Sequence, residues 1–240
     1  MPKFFEDSFS ASNPTLTGAH ARHIGYALRM RTGEPLTVCA CGIDYECTIE
    51  EITSDTIYLQ ILSSAPCCAE PSVRVTLFQA LPKTDKLETI IQKAVELGVT
   101  EIVPVLTARC ISRLSPADFE KKRERLQKIA QSAAEQSGRG IIPQVAPLHT
   151  LKQAAEKMQD IECKVVCYEG EGGCSFSQIM TTKSSYGLFV GAEGGFDEKE
   201  IEFLKKCGVT PVWLGKRILR CETAPLVAIS IIMFQTGNLN

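Results

Sequence analysis

From Ser72 onward, short β-rich runs alternate with helical segments, and this alternation is the feature that most constrains how the chain can fold. Apolar and β-branched runs predict strands at residues 73–80, 102–106, 163–168, 188–190 and 212–214. Helices are predicted at 86–97, from Ser115 to Gly138, from Asp197 to just before Gly208, and at 223–235. Because strands that alternate with helices pair in parallel, the pattern predicts an α/β domain with a parallel sheet.

The first 70 residues follow a different pattern, in which β-rich runs are separated by turn signals. Strands are predicted at 34–38, 46–52 and 56–62, with turns at Gly33, 42–44 and 54–55. Residues 20–29 are predicted to form one helix, and residues 63–71 a linker. The region is therefore predicted to be a small β-barrel, which divides the chain into domains at residues 1–70 and 71–240.

The composition indicates a protein with reduced thiols and excludes several other classes. Eleven cysteines without a C-x-x-C pair predict free thiols in a cytoplasmic protein. The sequence predicts no secretory signal and no membrane span. The alternative to free thiols is a zinc site formed by His20, His23, Cys39, Cys41 and Cys47. These residues lack the paired spacing of zinc ligands, so no metal is predicted.

The net charge of −2 does not by itself indicate a nucleic-acid-binding protein. Residues 1–70 carry 4 basic and 9 acidic side chains, whereas residues 71–240 carry 22 and 19. Positive charge is concentrated at Arg22, Arg29 and Arg31, and again at residues 121–128. A local patch can bind RNA on a nearly neutral protein, although residues 121–128 are more typical of a solvated helix face.

Two glycine-bearing segments each end a predicted strand and precede a predicted helix. The first is residues 191–196, G-A-E-G-G-F, and the second is residues 214–224, L-G-K-R-I-L-R-C-E-T-A. Glycine lets a ligand approach the main chain where a Cβ would block it, so the pair predicts a small-molecule site. The first segment lacks the spacing of a dinucleotide fingerprint, and the second lacks the upstream glycine and the Ser or Thr of a P-loop.

Together these segments resemble the signature of the RsmE family, the 16S ribosomal RNA uridine-N3 methyltransferases of the SPOUT superfamily. That family reads G-P-E-G-G-[FL] and then L-G-x-R-[IV]-L-R-x-E-T-A, so the chain differs at Ala192 and matches the second pattern throughout. Upstream, residues 83–99 resemble K-x-D-[KR]…K-x-x-E-L-G-V, and residues 134–139 resemble the last six positions of A-x-E-Q-[SC]-x-R. Residues 23–29 are similar to H-[IL]-x-x-V-L-R, with Ala27 at the valine position. Linked motifs in the right order are far more specific than any one of them.

The resemblance implies a SPOUT methyltransferase domain at residues 71–240, in which the final helix passes through a loop near residues 187–195 to form a trefoil knot. It implies that residues 1–70 form a PUA-like RNA-binding domain. It further implies a homodimer that uses S-adenosylmethionine as its cofactor and acts on 16S ribosomal RNA of the small ribosomal subunit.

The resemblance also implies which residues bind the cofactor. Backbone groups of the two glycine-bearing segments would hold it, and Ile218 and Leu219 would contact its adenine ring. The full set is Val190, Gly191, Glu193, Gly194, Leu214, Gly215, Arg217, Ile218, Leu219, Thr223 and Ala224. Plainer interpretations are an ordinary strand-to-helix turn, core packing and, for Thr223, a helix cap. The acidic, glycine-rich residues 169–173 are predicted to form a flexible loop beside the cofactor.

Three charged residues are candidates for catalysis. Arg139 and Arg220 could stabilise an anion at the uracil oxygens, and Glu222 could accept the N3 proton, with a water-mediated route equally open. The plainer alternatives are a solvated helix-end cation for Arg139 and a structural ion pair between Arg220 and Glu222. The candidate RNA contacts are Arg22, Arg29, Lys83, Lys93 and Arg139, and Lys86 could also meet a phosphate.

Other functions stay open at this point. Another SPOUT enzyme would keep the fold and the cofactor but methylate a ribose 2′-hydroxyl or a different rRNA or tRNA base. A non-catalytic RNA-binding protein would keep the motifs without methyl transfer, which the intact glycine-bearing segments disfavour. A nucleotide-dependent oxidoreductase is disfavoured by the glycine spacing.

Overall fold

The computed structural model describes residues 1–83, 85–170, 173–179 and 183–239. Thr84 of the first lysine-bearing motif lies outside the described residues, as do Glu171 and Gly172 of the predicted flexible loop. The chain forms two compact units. The first contains Met1–Glu70 and Ala134–Ile142, and the second contains Pro71–Ala133 and Pro143–Asn240.

A five-stranded sheet forms the first unit, and it is antiparallel apart from one parallel pair. The strands are β1 (Lys3–Phe5), β2 (Thr15–Thr17), β3 (Pro35–Ala40), β4 (Ile43–Ile52) and β5 (Thr56–Pro66), in the order β1-β3-β4-β5-β2 with β1 parallel to β3. Cys41 and Gly42 join β3 to β4 with φ of 50° and 79°, as a two-residue hairpin turn of type I′ requires. The three strands predicted in this region are confirmed, each with at least one end shifted.

The linker predicted at residues 63–71 is wrong for its first half, because β5 continues to Pro66. Residues 63–66 pair with residues 43–46 of β4. Strand β4 is ten residues long, so its first four residues extend past the predicted end of β5 and offer it further backbone hydrogen-bond partners. Small and polar residues that look like a linker by composition are therefore held as a strand by their neighbour.

The helix predicted at residues 20–29 is confirmed in the first unit, although it changes geometry within its length. Helix α1 (Gly18–Arg22) is followed by a π-helical turn at His23–Ala27. Ala21 and Ile24 on this stretch are buried in the apolar core with residues of β2 to β5. The opposite side of the stretch is exposed and carries Arg22 and Tyr26.

A parallel sheet forms the second unit, which confirms the α/β prediction. Its strands are β6 (Arg74–Ala80), β7 (Glu101–Leu106), β8 (Gln144–Val145), β9 (His149–Thr150), β10 (Cys163–Cys167), β11 (Cys174–Ser175), β12 (Ser185–Val190) and β13 (Thr210–Trp213). The order is β11-β13-β10-β12-β6-β7-β8, with β9 also paired to β7, and every pair is parallel. Strand β12 is buried at all six of its residues, as expected for a strand covered on both faces.

Local signals in the sequence explain where the helices of this region begin and end. The helices are α2 (Lys86–Glu96), α3 (Pro116–Gln136), α4 (Leu151–Lys157), α5 (Phe176–Ile179), α6 (Glu198–Lys206) and α7 (Ala224–Gln235). Asp197 caps α6, and the Glu200 side chain accepts from the backbone N–H of Asp197, so the predicted capping box is confirmed. Gly98, at φ 93°, follows the end of α2.

The parallel strands end at one edge of the sheet, and this edge carries the two glycine-bearing segments. Strand β12 ends at Val190, immediately before the first segment, and β13 ends at Trp213, immediately before the second. Ligands of open parallel sheets bind beyond the carboxyl ends of the strands. The trefoil knot that the resemblance implies stays a prediction. Within the described ranges, no helix is both long and apolar enough to span a membrane.

We expect Phe189→Ala to lower the free energy of unfolding of the second unit by about 3–5 kcal/mol. The Phe189 ring stacks on Phe78 at 4.9 Å and meets Phe196 edge-on at 6.3 Å, so truncation leaves a cavity. Urea unfolding followed by the fluorescence of Trp213, the single tryptophan, measures the change. The control is Ile111→Ala, which removes a side chain that is mostly exposed. Equal losses in the two variants would contradict this account of the core.

Candidate functional site

A cavity of about 260 Å³ lies at the carboxyl ends of β10, β12 and β13. Both glycine-bearing segments line it, together with the residues that follow β10 and the first residue of α2. The lining residues are Lys86, Cys167, Tyr168, Glu169, Val190, Gly191, Ala192, Glu193, Gly195, Val212, Trp213, Leu214, Gly215, Arg217, Ile218, Leu219, Arg220, Cys221 and Ala224. Segments far apart in the chain thus form the walls of one site.

The first wall is a tight turn at residues 191–196, which we call the first loop. The backbone N–H of Gly195 donates to the carbonyl of Ala192 at 2.9 Å, and Gly195 has a φ of 65°. A Cβ at Gly191 would stand 3.0 Å from the Gly195 Cα. Glycine is therefore favoured at Gly191, where the loop folds back on itself, and at Gly195, whose backbone angle lies in the left-handed region.

A buried glutamine outside the predicted site residues holds the first loop. Gln79 on β6 is fully buried, and its Nε2 donates to the Gly191 carbonyl at 3.3 Å and to the Ala80 carbonyl at 3.1 Å. Its Oε1 has no hydrogen-bond partner among the described residues. The available signal was one amide side chain inside an otherwise apolar run at the end of a predicted strand, since a buried polar group generally has a specific partner.

The second wall is formed by residues 214–223, which we call the second loop. Gly215 has a φ of 105°, and no described atom beyond its two adjoining residues lies within 4 Å of the place where its Cβ would stand. Ile218 lines the cavity and is 83% exposed. The loop ends in a turn, because the Thr223 and Ala224 N–H groups both donate to the Arg220 carbonyl. An accessible main chain beside an uncovered apolar side chain is suited to a ligand that has a flat apolar ring.

Lys86 joins the two walls by ion pairs. Its Nζ lies 3.1 Å from Glu193 of the first loop and 3.1 Å from Glu222 of the second. Hydrogen bonds to these carboxylates raise the pKa of Lys86. Burial alone would raise the pKa of Glu193, but hydrogen bonds from backbone N–H groups, including that of Lys83, and from Lys86 bring it below its ordinary value. From sequence alone, Lys86 is predicted only as a possible phosphate contact.

The thiol of Cys221 belongs to the same group of side chains. Its Sγ donates to the Glu222 carboxylate at 3.2 Å, and this bond, a backbone N–H and Lys86 lower the pKa of Glu222. Burial and the nearby Glu222 carboxylate raise the pKa of the Cys221 thiol to about 12. Burial also raises the pKa of Cys167, at the cavity wall, to about 12. Both thiols are therefore protonated at neutral pH and are poor nucleophiles.

Most of the residues predicted to bind the cofactor meet in this cavity. Those that line it are Val190, Gly191, Glu193, Leu214, Gly215, Arg217, Ile218, Leu219 and Ala224. Gly194 and Thr223 belong to the two loops without lining the cavity, and the Gly194 carbonyl accepts from Arg109 at 3.2 Å. The Thr223 side chain makes no capping bond to α7. Of the predicted catalytic residues, Arg220 lines the cavity and Glu222 reaches it through Lys86.

Arg139, the third predicted catalytic residue, lies in the first unit and is paired there. It is 2% exposed, and its Nε and Nη2 donate to Glu70 at 3.1 and 2.6 Å. The backbone N–H groups of Gly140 and Ile141 donate to the same carboxylate. A buried, forked arginine–carboxylate pair orders its own segment strongly. The solvated helix-end cation that the sequence allowed is therefore wrong, and a catalytic or RNA-binding role for Arg139 stays a prediction.

The other predicted RNA contacts lie on the surface of both units. Arg22 and Arg29 are exposed, and Arg29 has a φ of 53°, which is unusual for a residue other than glycine. Lys83 is exposed in the second unit, and Lys93 forms an ion pair with Glu96 at 2.8 Å. All eleven cysteines are free thiols. Across the residues with a described position, no three His, Cys, Asp or Glu side chains are grouped as a metal site.

Comparisons with known proteins agree with this geometry. Residues 69–233 match the family model of an RNA methyltransferase domain. The chain is 38% identical to the ribosomal RNA small subunit methyltransferase E of Bacillus subtilis (strain 168), over 92% of this chain and 90% of that protein. It is 35% identical to the protein of the same name from Synechocystis sp., over 91% of this chain and 72% of that protein. The crystal structure of ribosomal RNA small subunit methyltransferase E from Neisseria gonorrhoeae, bound to S-adenosyl methionine, is similar at a TM-score of 0.88 and 33% identity, over 97% of each chain.

We expect Gly191→Ala to destabilise the second unit by about 1–3 kcal/mol, because the added Cβ would stand 3.0 Å from the Gly195 Cα, closer than a Cβ normally approaches backbone. Binding of S-adenosylmethionine, measured by calorimetry, should weaken by roughly tenfold or more, since each tenfold loss needs only about 1.4 kcal/mol. The matched control is Gly173→Ala, whose nearest contact outside the adjoining residues would be an ordinary 3.5 Å. Unchanged binding in Gly191→Ala would show that the first loop does not hold the cofactor.

Proposed function

The chain belongs to the RNA methyltransferase family, among the ribosomal RNA small subunit methyltransferases E, and from this membership and its cavity we propose that it methylates N3 of a uridine in 16S ribosomal RNA with S-adenosylmethionine. The observation that carries the proposal is that both glycine-bearing segments line one cavity at the carboxyl edge of a parallel sheet. Neither segment alone distinguishes a cofactor site from an ordinary turn.

The residues of the cavity suit this cofactor in two respects. Gly215 leaves main chain open to a ligand, and Ile218 and Leu219 offer apolar contact to a flat ring. Carboxylates and cationic side chains both line the cavity, which suits a ligand that carries a carboxylate as well as an ammonium and a sulfonium. S-adenosylmethionine supplies a methyl group on a sulfonium that already carries its own leaving group. The protein itself needs to bind the cofactor and the target base, orient them and provide a path for the proton that leaves.

Methylation of uracil N3 requires that its proton leave, because the N3 lone pair is available only afterwards. Arg220 lines the cavity, and we assign it the stabilisation of negative charge on the uracil oxygens. Glu222 is held by Lys86 and by the Cys221 thiol, and its lowered pKa makes it a weak base. These contacts favour the water-mediated route over direct proton transfer to Glu222.

The target base must also leave its stack, since N3 lies on the pairing edge of uracil. The exposed candidate RNA contacts in the first unit are Arg22 and Arg29, with Tyr26 between them in sequence and 73% exposed. An exposed aromatic ring beside arginines is suited to stacking an unpaired base next to phosphates. Arg29 has a positive φ, a sparsely populated backbone conformation of the kind that clusters at functional sites. We propose that this surface performs the PUA-like RNA-binding role that the resemblance implies. We also propose that the protein is located in the cytoplasm, where ribosomal RNA is found.

Helix α7 supports the proposal of a homodimer. It carries no charged residue between Ala224 and Gln235, and Phe234 is 67% exposed. Its partly uncovered side chains Leu226, Val227 and Ile231 line a groove of about 660 Å³ with Trp213. A helix that is apolar all round is normally buried, so its open side calls for a partner. We propose a second copy of the chain as that partner, because Trp213, Leu214 and Gly215 line both this groove and the cavity.

We expect the purified chain to transfer labelled methyl groups from S-adenosylmethionine to small ribosomal subunits taken from cells that lack it. Digestion of the rRNA and mass spectrometry of the nucleosides should find the label in N3-methyluridine. Arg220→Ala should lower kcat by about 10- to 100-fold with a smaller change in cofactor affinity, because it removes charge stabilisation in the transition state.

Other outcomes of this assay separate the remaining functions. Label in a ribose-methylated nucleoside would keep the cofactor and discard the target base. Cofactor binding without label on free 16S rRNA or on assembled subunits would discard the small-subunit substrate. A wild-type chain that binds no S-adenosylmethionine would leave only the non-catalytic RNA-binding function.

We expect Phe234→Glu to convert a dimeric protein into monomers, because it places a charge on the apolar face of α7. Sedimentation velocity across a range of concentrations measures the change. The control is Leu62→Glu, which alters a side chain of similar exposure in the first unit, and it should leave the dimer intact. A wild-type chain that sediments as a monomer would refute the homodimer.

A further inference from the structure

Among the described residues, Lys86 is the only one whose side chain forms ion pairs with both loops of the cavity. It contacts Glu193 and Glu222 at the same 3.1 Å, and each of the three side chains is between 26% and 29% exposed. Its own helix, α2, belongs to neither loop. The arrangement is therefore a three-part bridge and differs from an isolated surface ion pair, which contributes little.

Without the ammonium, two carboxylates would face each other around the position that Lys86 Nζ now occupies. Both would still be held near that point, because Glu193 accepts from the Lys83 N–H and Glu222 accepts from the Cys221 thiol. Two neighbouring carboxylates repel each other, and this repulsion raises the pKa of one of them, so that it binds a proton more readily. The loops would either separate or take up a proton.

We propose that Lys86 is a positioning residue that holds the two loops of the cavity together and thereby shapes the binding site for the cofactor. This inference rests on the proposed function for the identity of the ligand, but the bridge itself is a property of the protein alone. The sequence suggests only a phosphate contact for this lysine at the start of α2, whereas the ion pairs assign it a positioning role.

The bridge has a defined pH range. The lowered pKa values of Glu193 and Glu222 make their contribution to stability present above the ordinary Glu value of about 4.3 and lost as pH falls through the folded values. The raised pKa of Lys86 makes its contribution present below about 10.4 and lost as pH rises through the folded value. The bridge is therefore complete throughout the neutral range.

The groups that face the bridge are few. Cys221 is the titratable side chain beside all three charges, and its thiol stays protonated in the neutral range. The other titratable or charged residues that line the cavity are Cys167, Tyr168, Glu169, Arg217 and Arg220. Each is retained in the variants below, so a change in titration reports on Lys86.

The test compares Lys86→Met and Lys86→Arg with the wild-type chain, and Lys205→Met, on the exposed side of α6, is the matched control. Carboxyl NMR of ¹³C-labelled glutamate, without any ligand, follows Glu193 and Glu222. In Lys86→Met one of them should titrate at higher pH than in the wild type. Lys86→Arg, which keeps the charge and can bind carboxylates, should retain the low values, and so should Lys205→Met.

Calorimetry of S-adenosylmethionine between about pH 5.5 and 8 provides the second measurement. Lys86→Met should bind about tenfold more weakly at the upper end and recover as pH falls, because a protonated carboxyl no longer repels its neighbour. Lys86→Arg should restore binding to within about threefold of wild type. If net charge governed binding instead, Lys86→Met would bind the cationic ligand more tightly at high pH, and that result would overturn the proposal.

The two claims fail separately. A wild-type chain that does not bind S-adenosylmethionine refutes the proposed function, and the NMR titration still decides whether Lys86 bridges the loops. A wild-type chain that binds, with Lys86→Met identical to it in titration and in affinity at every pH, refutes the bridge alone. Should Lys86→Met fold poorly, Lys86→Gln takes its place in both measurements.

Discussion

The parallel pairing of β12 on both sides is the constraint on which the rest of the second unit depends. Strand β12 lies between β10 and β6 and is buried at every residue, so a shift by one position would disturb contacts on both faces. This pairing brings the end of β12 beside the end of β10, and β13 joins on the far side of β10. The two glycine-bearing loops are close because their strands end at one edge, although neither loop contains the information that brings them together.

A third segment, from the end of β6 to the start of α2, then fixes both loops. Gln79 donates to the carbonyl of Gly191, and Lys86 binds Glu193 and Glu222. The glycines make a close backbone approach possible, and the polar contacts from this third segment hold the loops in place. Backbone access and polar positioning are separate tasks in this cavity, and different parts of the chain supply them.

The prediction from sequence was most successful where the signal was local. The alternation of strands and helices, the capping box at Asp197 and the end of α2 at Gly98 all depend on residues a few positions apart, and each is confirmed. It failed where a distant neighbour decided the outcome. Residues 63–66 read as a linker by composition, yet β4 holds them as a strand. The plainer of the two predictions for Arg139 was a solvated cation at a helix end, yet Arg139 is buried in the first unit and bound to Glu70.

The sequence by itself determined the class of fold, the positions of the two glycine-bearing loops and about half of the residues that line the cavity, because periodicity, caps and glycine preferences act over short stretches of chain. Only the tertiary structure decided that Gln79 holds the first loop, that Lys86 stands between two carboxylates and that α7 leaves an apolar side uncovered. These facts depend on contacts between residues that are remote in sequence. Their partners are chosen by the order and register of the strands, which no local pattern specifies.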